Sequence, residues 1–461
     1  MNTYFDQLNI NDLLEEYPLG AEFIQRYTSI SRDLLRQQQE ARFRNVMRRG
    51  WQIPFYQRLW GNEGIEPADI TSLDDIVKLP TYDKSDIMAS IEYAPPFGDF
   101  SGWTLQDKNS PPVIFHTTSG TTGKPQTLLF GAKGREVGNL LVSRMYQWQG
   151  LQDNDVVHSV YGHGTINGGH YIREAVSHFT NSLFVSAGTG VETPSVRQVE
   201  LMHDFGATVL VGFVDYIRKL ADTAREQNLV PGDDIPIRMI SGHLGMEDRS
   251  AVETAWGGAK AYDWYGVGDT GCIAGEGPDR DGLYVWEDAH YLELLDVSTS
   301  QAVAAGDKGD MVCTCLYKDD IFPVIRFNTH DVSSERSGSN DTGMVFKRID
   351  GFLGRSDNMV KLRGINIFPH SVGQILQHEP AFNGEFVCIA ERDSSARDDL
   401  QVLVECNDPD SNELTDRFAE LLKRGFGIAV KLQLVSTGST TRYTEIDRRQ
   451  KPIRLIDRRH L

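Results

Sequence analysis

From Val113 onward, short apolar runs alternate with amphipathic helical stretches, and this alternation narrows the possible folds more than any other feature. The runs include VIFH before a Gly/Thr loop, DVVHSVY at 155–161, NSLFVSAG at 181–188 and ATVLVGF at 207–213. Helical spacing marks the intervening Ser195–Asp204 and Tyr216–Gln227. Apolar strands that alternate with helices have both faces covered, which predicts parallel-rich sheets flanked by helices, an α/β class. After about Gly282 the texture becomes strand-rich (LYVWEDAHYLELLD, GDMVCTCLYK, FPVIRFNTHDV), and a β-barrel-like subdomain is expected there. The first hundred residues read as helices: Ser29 to Met47 is helical and charged, and Pro54, Pro67 and Pro80 punctuate the residues after it.

A chain of 461 residues exceeds the usual single domain, so two are expected. The boundary falls near Gly354–Asp357. Residues 1–354 would form the large N-terminal domain and 355–461 a small, mobile α+β domain with its own strands and helices (EFVCIAER, DLQVLVEC, ELTDRFAELLKRGF, AVKLQLV). A net charge of −19 argues against a nucleic-acid partner, since no sequence-wide basic surface exists to displace phosphate counterions. Small anions remain possible where positive charge gathers locally. The N-terminus is acidic and unlike a secretory leader, and no apolar run is long enough for a membrane span. The five cysteines form no CxxC pair, which fits a reducing cytoplasm. Cys313 and Cys315 alternate along an expected strand and share one face, which reads as buried core rather than a ligand pair.

His116–Pro125 reads HTTSGTTGKP. Glycines let backbone N–H groups approach polyphosphate oxygens, hydroxyls donate hydrogen bonds, and a lysine adds charge. It is not a Walker A loop, because two residues separate Gly120 from Gly123 and Pro125 follows Lys124. The candidates here are Thr117, Thr118, Ser119, Gly120, Thr121, Thr122, Gly123 and Lys124. The loop resembles the phosphate-binding signature of the acyl-adenylate-forming superfamily, and its context is similar to the phenylacetate–CoA ligase branch. Further ordered signatures extend that resemblance from about Trp51 to the C-terminus. DWYGVGDTG at 263–271 is similar to the family's YGxTE stretch. The resemblance implies that Tyr265 and Gly266 face the adenine and that Asp269, in place of the usual glutamate, helps to hold Mg2+. VIRFNTHDV at 324–332 implies that Asp331 accepts from both ribose hydroxyls. GRSDNMVKLRGINIFP at 354–369 implies that Arg355 contacts ribose or phosphate and that Asp357 is the hinge, with Gly364 facing an acceptor thiol. TEIDRRQKPIRLIDRR at 444–459 makes Lys451 the catalytic lysine, inside a basic stretch.

These signatures imply an enzyme that uses ATP and Mg2+ to convert a carboxylic acid, expected to be aromatic, into acyl-AMP. Transfer to coenzyme A would follow. Candidate lining for the acid is Tyr161, His163, Phe213, Tyr216, Gly242, His243 and Trp264, where flat rings and a few polar tips suit an aryl acid. Relatives carry an acidic turn where this chain has Gly242–His243–Leu244. Together with the departures at Asp269, Gly373 and Gln450, that leaves open transfer to an amine, a carrier-protein thiol or another nitrogen nucleophile. A non-catalytic nucleotide-binding protein is a third reading. The zinc site of some relatives is not expected, since the Gly271–Asp281 loop holds Cys272 and no histidine. The partners implied are the acid and ATP, with neither nucleic acid nor membrane, and a homodimer is allowed.

Overall fold

The computed structural model describes residues 3–118, 125–245, 247–357, 360–362, 365–392, 398–445 and 452–459. Helices fill the N-terminal region, at Ile10–Glu16, Gly20–Ser29, Arg32–Gly50, Pro54–Asn62 and Lys84–Tyr93. The helical stretch expected from Ser29 is interrupted at Ile30, which is extended. Ser31 then caps the next helix by accepting from Leu34 N.

An eleven-stranded sheet organises the chain to residue 349. One half is parallel, in the order Leu183–Ser186, Val156–Ser159, Val209–Phe213, Met239–His243 and Lys260–Val267. The strands VVHS and VLVGF are buried almost without interruption, as continuous runs covered on both faces should be. Helix Ala132–Gln149 is buried almost throughout and packs against helix Asn167–Phe179 and strand Gly271–Glu276. The stretch expected to be barrel-like continues the same sheet as its antiparallel half: Gly271–Glu276, Leu283–Val285, Arg348–Ile349, Phe327–Arg336, Lys308–Cys315 and His290–Leu295. VIFH does not enter this sheet. Ile114–Thr117 pairs antiparallel with Thr127–Phe130 in a separate two-stranded sheet.

A separate C-terminal domain has a four-stranded sheet in the order Lys431–Val435, Asp398–Cys406, Phe382–Arg392 and Leu455–Asp457. Helices Ser371–Leu376 and Asn412–Phe426 cover it, around a core that includes Val372, Phe386, Val402, Phe418 and Leu422. Among the described residues, no helix is long and apolar enough to cross a membrane.

Candidate active site

Parallel strands all end at one edge of a sheet, and in open α/β sheets ligands gather there. Here that edge carries Phe213, His243 and the turn Gly268–Thr270 after strand Lys260–Val267. Trp264 and Tyr265 are consecutive on this strand and therefore point to opposite faces. Each side has its own chemistry.

On the Tyr265 side lies a chain of polar contacts. The Tyr265 hydroxyl donates to Asp331 Oδ2 at 2.8 Å and to Thr329 Oγ1 at 3.2 Å. Arg355 Nη1 donates to Asp331 Oδ1 at 2.8 Å, while its Nε and Nη2 hold both oxygens of Asp357 at 2.8 and 2.5 Å. Asp331 and Arg355 also form an isolated antiparallel bridge. Asp331 and Tyr265 are buried, so an unpaired carboxylate there would be costly, and this network supplies its compensation. Burial and the Asp331 charge together raise the Tyr265 phenol well above its ordinary value, so it remains a donor. Gly266 is obligatory by close approach: a Cβ there would lie 2.2 Å from the Gly271 carbonyl oxygen.

Asp269 is buried in the turn beyond. The Gln126 amide donates to its Oδ1 at 2.5 Å, and the Lys318 ammonium bonds its backbone carbonyl. Burial raises the Asp269 carboxyl, and Lys318 and Gln126 oppose that rise. Among the described residues, Gln126 Oε1 is buried without a partner. A carboxylate beside an unused carbonyl-type oxygen is a hard donor set, and it fits Mg2+. Gln126, Lys318 and Thr329 escaped the sequence reading. Thr329 stands inside the VIRFNTHDV signature without a role assigned to it there, whereas Gln126 and Lys318 are single polar residues outside the ordered signatures.

On the other face sit four aromatic residues. His243 stacks on Phe213 (ring centroids 5.3 Å, 30° between planes) and lies 4.2 Å from Trp264, and Tyr161 meets Phe213 edge-on at 5.4 Å. His243 Nδ1 is 3.1 Å from the Trp264 carbonyl, so the ring is held by backbone as well as by stacking. Among the described residues, Tyr161 Oη and Trp264 Nε1 are buried polar atoms without hydrogen-bond partners of good geometry. Asp263 locks the assembly, accepting from Leu244 N at 2.9 Å and Trp264 N at 2.8 Å. Burial and then the neighbouring Glu276 push its carboxyl up to about 7. Gly242 is forced by proximity, since a Cβ would lie 1.8 Å from the Gly212 carbonyl oxygen.

Two expected lining residues are directed elsewhere. The Tyr216 hydroxyl pairs with Ser195 Oγ at 2.9 Å and accepts from Gln198. The His163 backbone N–H donates to Glu192, and its ring meets His170 edge-on at 5.3 Å. Thr117 bonds Thr165 through both backbone and hydroxyl, and Thr118 bonds Gln126, so both ends of the phosphate loop are anchored. Ser119, Gly120, Thr121, Thr122, Gly123 and Lys124 lie outside the described residues, as do Gly364, Gln450 and Lys451.

A phenylacetate–coenzyme A ligase of Pseudomonas putida is 30% identical to this chain over 355 residues, covering 74% of this chain and 75% of that protein. The chain belongs to the phenylacetate–CoA ligase family. Another phenylacetate–CoA ligase, from Aromatoleum evansii, is 27% identical over 449 residues, 93% of this chain and 96% of that one. The AMP-binding enzyme C-terminal domain family matches residues 364–459. Among solved structures, 2-hydroxyisobutyryl-CoA ligase in the postadenylation state superposes with a TM-score of 0.78 at 24% identity, covering 96% and 91% of the two chains. The same ligase in the thioesterification state gives 0.68 at 25% identity, covering 96% and 94%. As a phenylacetate–CoA ligase family member, the chain is an ATP-dependent acyl-CoA ligase.

Proposed function

We propose that this chain activates an aromatic carboxylate with Mg-ATP and passes the acyl group to coenzyme A. The observation that carries the reading is the arrangement around strand Lys260–Val267. A carboxylate–guanidinium–phenol network occupies one face, an aromatic cluster the other, and a buried Asp269–Gln126 pair lies at its end. The family membership supports the two-step chemistry, and the rings of Phe213, His243 and Trp264 support an aryl substrate.

The substrate carboxylate attacks the α-phosphorus, the bond to pyrophosphate breaks, and no protein nucleophile is consumed. Catalysis then rests on positioning and on stabilising negative charge. Asp331 takes the ribose hydroxyls, with Arg355 keeping its oxygens oriented. Asp269 and Gln126 hold Mg2+, which when bound supplies positive charge against the polyphosphate. Lys451 bridges the carboxylate and the α-phosphate. Asp357 serves as the hinge at the boundary between residues 354 and 355. With five free, buried cysteines the enzyme suits a reducing cytoplasm.

A pyrophosphate-exchange screen over substituted benzoates, phenylacetates, cinnamates and short aliphatic acids tests the reading. Aryl acids are expected to exceed aliphatic ones in kcat/KM; preference for an aliphatic acid, or no exchange with any acid, overturns it. Losing one preorganised donor costs about 2.7–4 kcal/mol, so Lys451→Ala should slow adenylation by roughly 10²–10³-fold while ATP still binds. Wild-type exchange in that variant removes Lys451 from the mechanism.

A further inference from the structure

Three histidines stand in a row between the strand that leads into the Thr/Gly loop and the loop that follows Tyr161. His116 lies on strand Ile114–Thr117, His163 in the loop 161–166, and His170 in the first turn of helix Asn167–Phe179. The His170 ring stacks on His116 (centroids 4.9 Å apart, 29° between planes) and meets His163 edge-on at 5.3 Å. Carbonyl oxygens can only accept, so His170 Nε2 carries a proton and donates to the backbone oxygens of His163 and Gly164, the second at 3.0 Å. One side chain therefore touches both segments.

Further contacts tie the same two segments. Thr117 N donates to Thr165 O at 2.8 Å, Thr117 Oγ1 donates to Thr165 Oγ1 at 2.9 Å, and Thr117 forms a parallel bridge with Ile166. Gly169 N closes the loop by donating to Gly162 O at 3.1 Å, and a Cβ at Gly169 would lie 2.5 Å from that oxygen. Glu192 Oε1 accepts from His163 N at 2.7 Å. Burial, then the Arg135 charge, pushes the His116 imidazole down to about 4, and burial foremost lowers that of His163. Neither ring opposes the stack with its own charge at neutral pH. An unbroken set of contacts between two segments is what energetic coupling between them requires.

We infer that His170 is a positioning residue that couples the loop 161–166 to strand Ile114–Thr117, so that nucleotide binding beside the strand orders the loop at the acid pocket. The inference rests on the function proposed above, with ATP beyond Thr117 and Thr118 and the acid beside Tyr161, Phe213 and Trp264. The acid's carboxylate must come within about 3–3.5 Å of the α-phosphorus, and a misplacement of about 1 Å can cost roughly 10²-fold in rate. The two reactants are held by different elements, so their relative position depends on what joins those elements. His170 joins them through the His116 ring on one side and the 163–164 carbonyls on the other. Nucleotide that orders the strand thereby orders the loop before the acid arrives.

The test is amide hydrogen exchange of the full-length protein with and without saturating Mg2+ and α,β-methylene-ATP, read on peptides that cover residues 161–166. In the wild type the nucleotide analogue, with no acid present, should slow exchange there by about fivefold or more. In His170→Ala, at an analogue concentration that saturates the variant, the slowing should fall below about twofold. His203→Ala, which alters an exposed histidine on helix Ser195–Asp204, should keep the wild-type response. A residue that only supports the fold would change exchange equally in both states, so the difference between them is the readout. If His170→Ala does not fold, His170→Leu, of similar size but without the ring or the donor, takes its place with the same expected loss. Wild type that binds the analogue without any slowing over 161–166 overturns the coupling, and so does an undiminished slowing in the folded variant. Failure of the wild type to bind the analogue at all overturns the proposed function itself, and the coupling with it.

Discussion

Asp331 touches two side chains whose own alternatives differ, and this decides what its replacement does. Arg355 keeps both oxygens of Asp357 when Asp331 is altered, so its charge stays compensated. Asp331→Asn, of the same shape, should therefore leave the fold almost intact. The proposed ribose contact would have no such reserve, and a hydrogen bond to a charged group is worth about 1.5–3 kcal/mol. The KM for ATP should rise about 10–100-fold with a melting temperature near that of wild type; a collapse in melting temperature with unchanged KM would place Asp331 in folding alone. His330, next in the chain, behaves differently. Hydrogen bonds to Asp310 and Asp83 raise its imidazole to about 10 against the cost of burial. Its Nε2 meets Asp83 at 2.8 Å, tying the start of helix Lys84–Tyr93 to the strand that carries Asp331. Because the folded value lies above the unfolded one, the pair's contribution is complete below about pH 6.5. It is then lost as pH climbs towards about 10. His330→Gln should cost about 1 kcal/mol at pH 6 and next to nothing near pH 10, read from urea midpoints across that range. The motif order made Tyr265, Asp331 and Arg355 legible in the chain itself, because three ordered signatures reinforce one another. Gln126 and Lys318 were not legible, because a lone polar residue acquires its role from tertiary neighbours.

At the scale of elements, the parallel strands could be read from their apolar runs, and Ser195–Asp204 is a helix with those bounds. VIFH could not be placed, since a four-residue apolar run is equally consistent with a buried parallel strand and with one arm of a hairpin. Nor could the break at Ile30 be seen inside a stretch whose charges repeat on both sides of it. Close approaches between strands were equally hidden, and two glycines show opposite consequences. At Gly242 an added methyl meets the Gly212 carbonyl oxygen of the neighbouring strand, which cannot move without opening the sheet. Gly61, in helix Pro54–Asn62, has nothing within 4 Å of the same position. Gly242→Ala should therefore destabilise by about 3 kcal/mol or more, as overpacking against backbone does. Gly61→Ala should stabilise by about 0.5–1 kcal/mol, because it removes chain entropy from the unfolded state. Chemical denaturation of the two variants checks both signs, and a neutral Gly242→Ala would mean that the two strands are not so close in solution.

Among the described residues, buried apolar clusters line the large sheet, and a separate one surrounds Phe386 and Phe418 in the C-terminal domain. Superposition is closer on the postadenylation structure of 2-hydroxyisobutyryl-CoA ligase than on its thioesterification structure, with TM-scores of 0.78 and 0.68 at equal coverage of this chain. Asp357 is exposed, and its side chain is held by Arg355, which in turn holds Asp331 of the large domain. If Asp357 is the proposed hinge, rotation changes backbone angles beside it while Arg355 stays anchored. Proline fixes φ near −65° and restricts the residue before it, so Asp357→Pro should freeze one arrangement. Pyrophosphate exchange, which needs only that arrangement, should stay within about threefold of wild type, whereas transfer from acyl-AMP to coenzyme A should slow by about tenfold or more. Single-turnover kinetics on preformed acyl-AMP separates the two steps. Equal losses in both would move the pivot away from Asp357, because a residue that merely supports the nucleotide site slows adenylation as much as transfer.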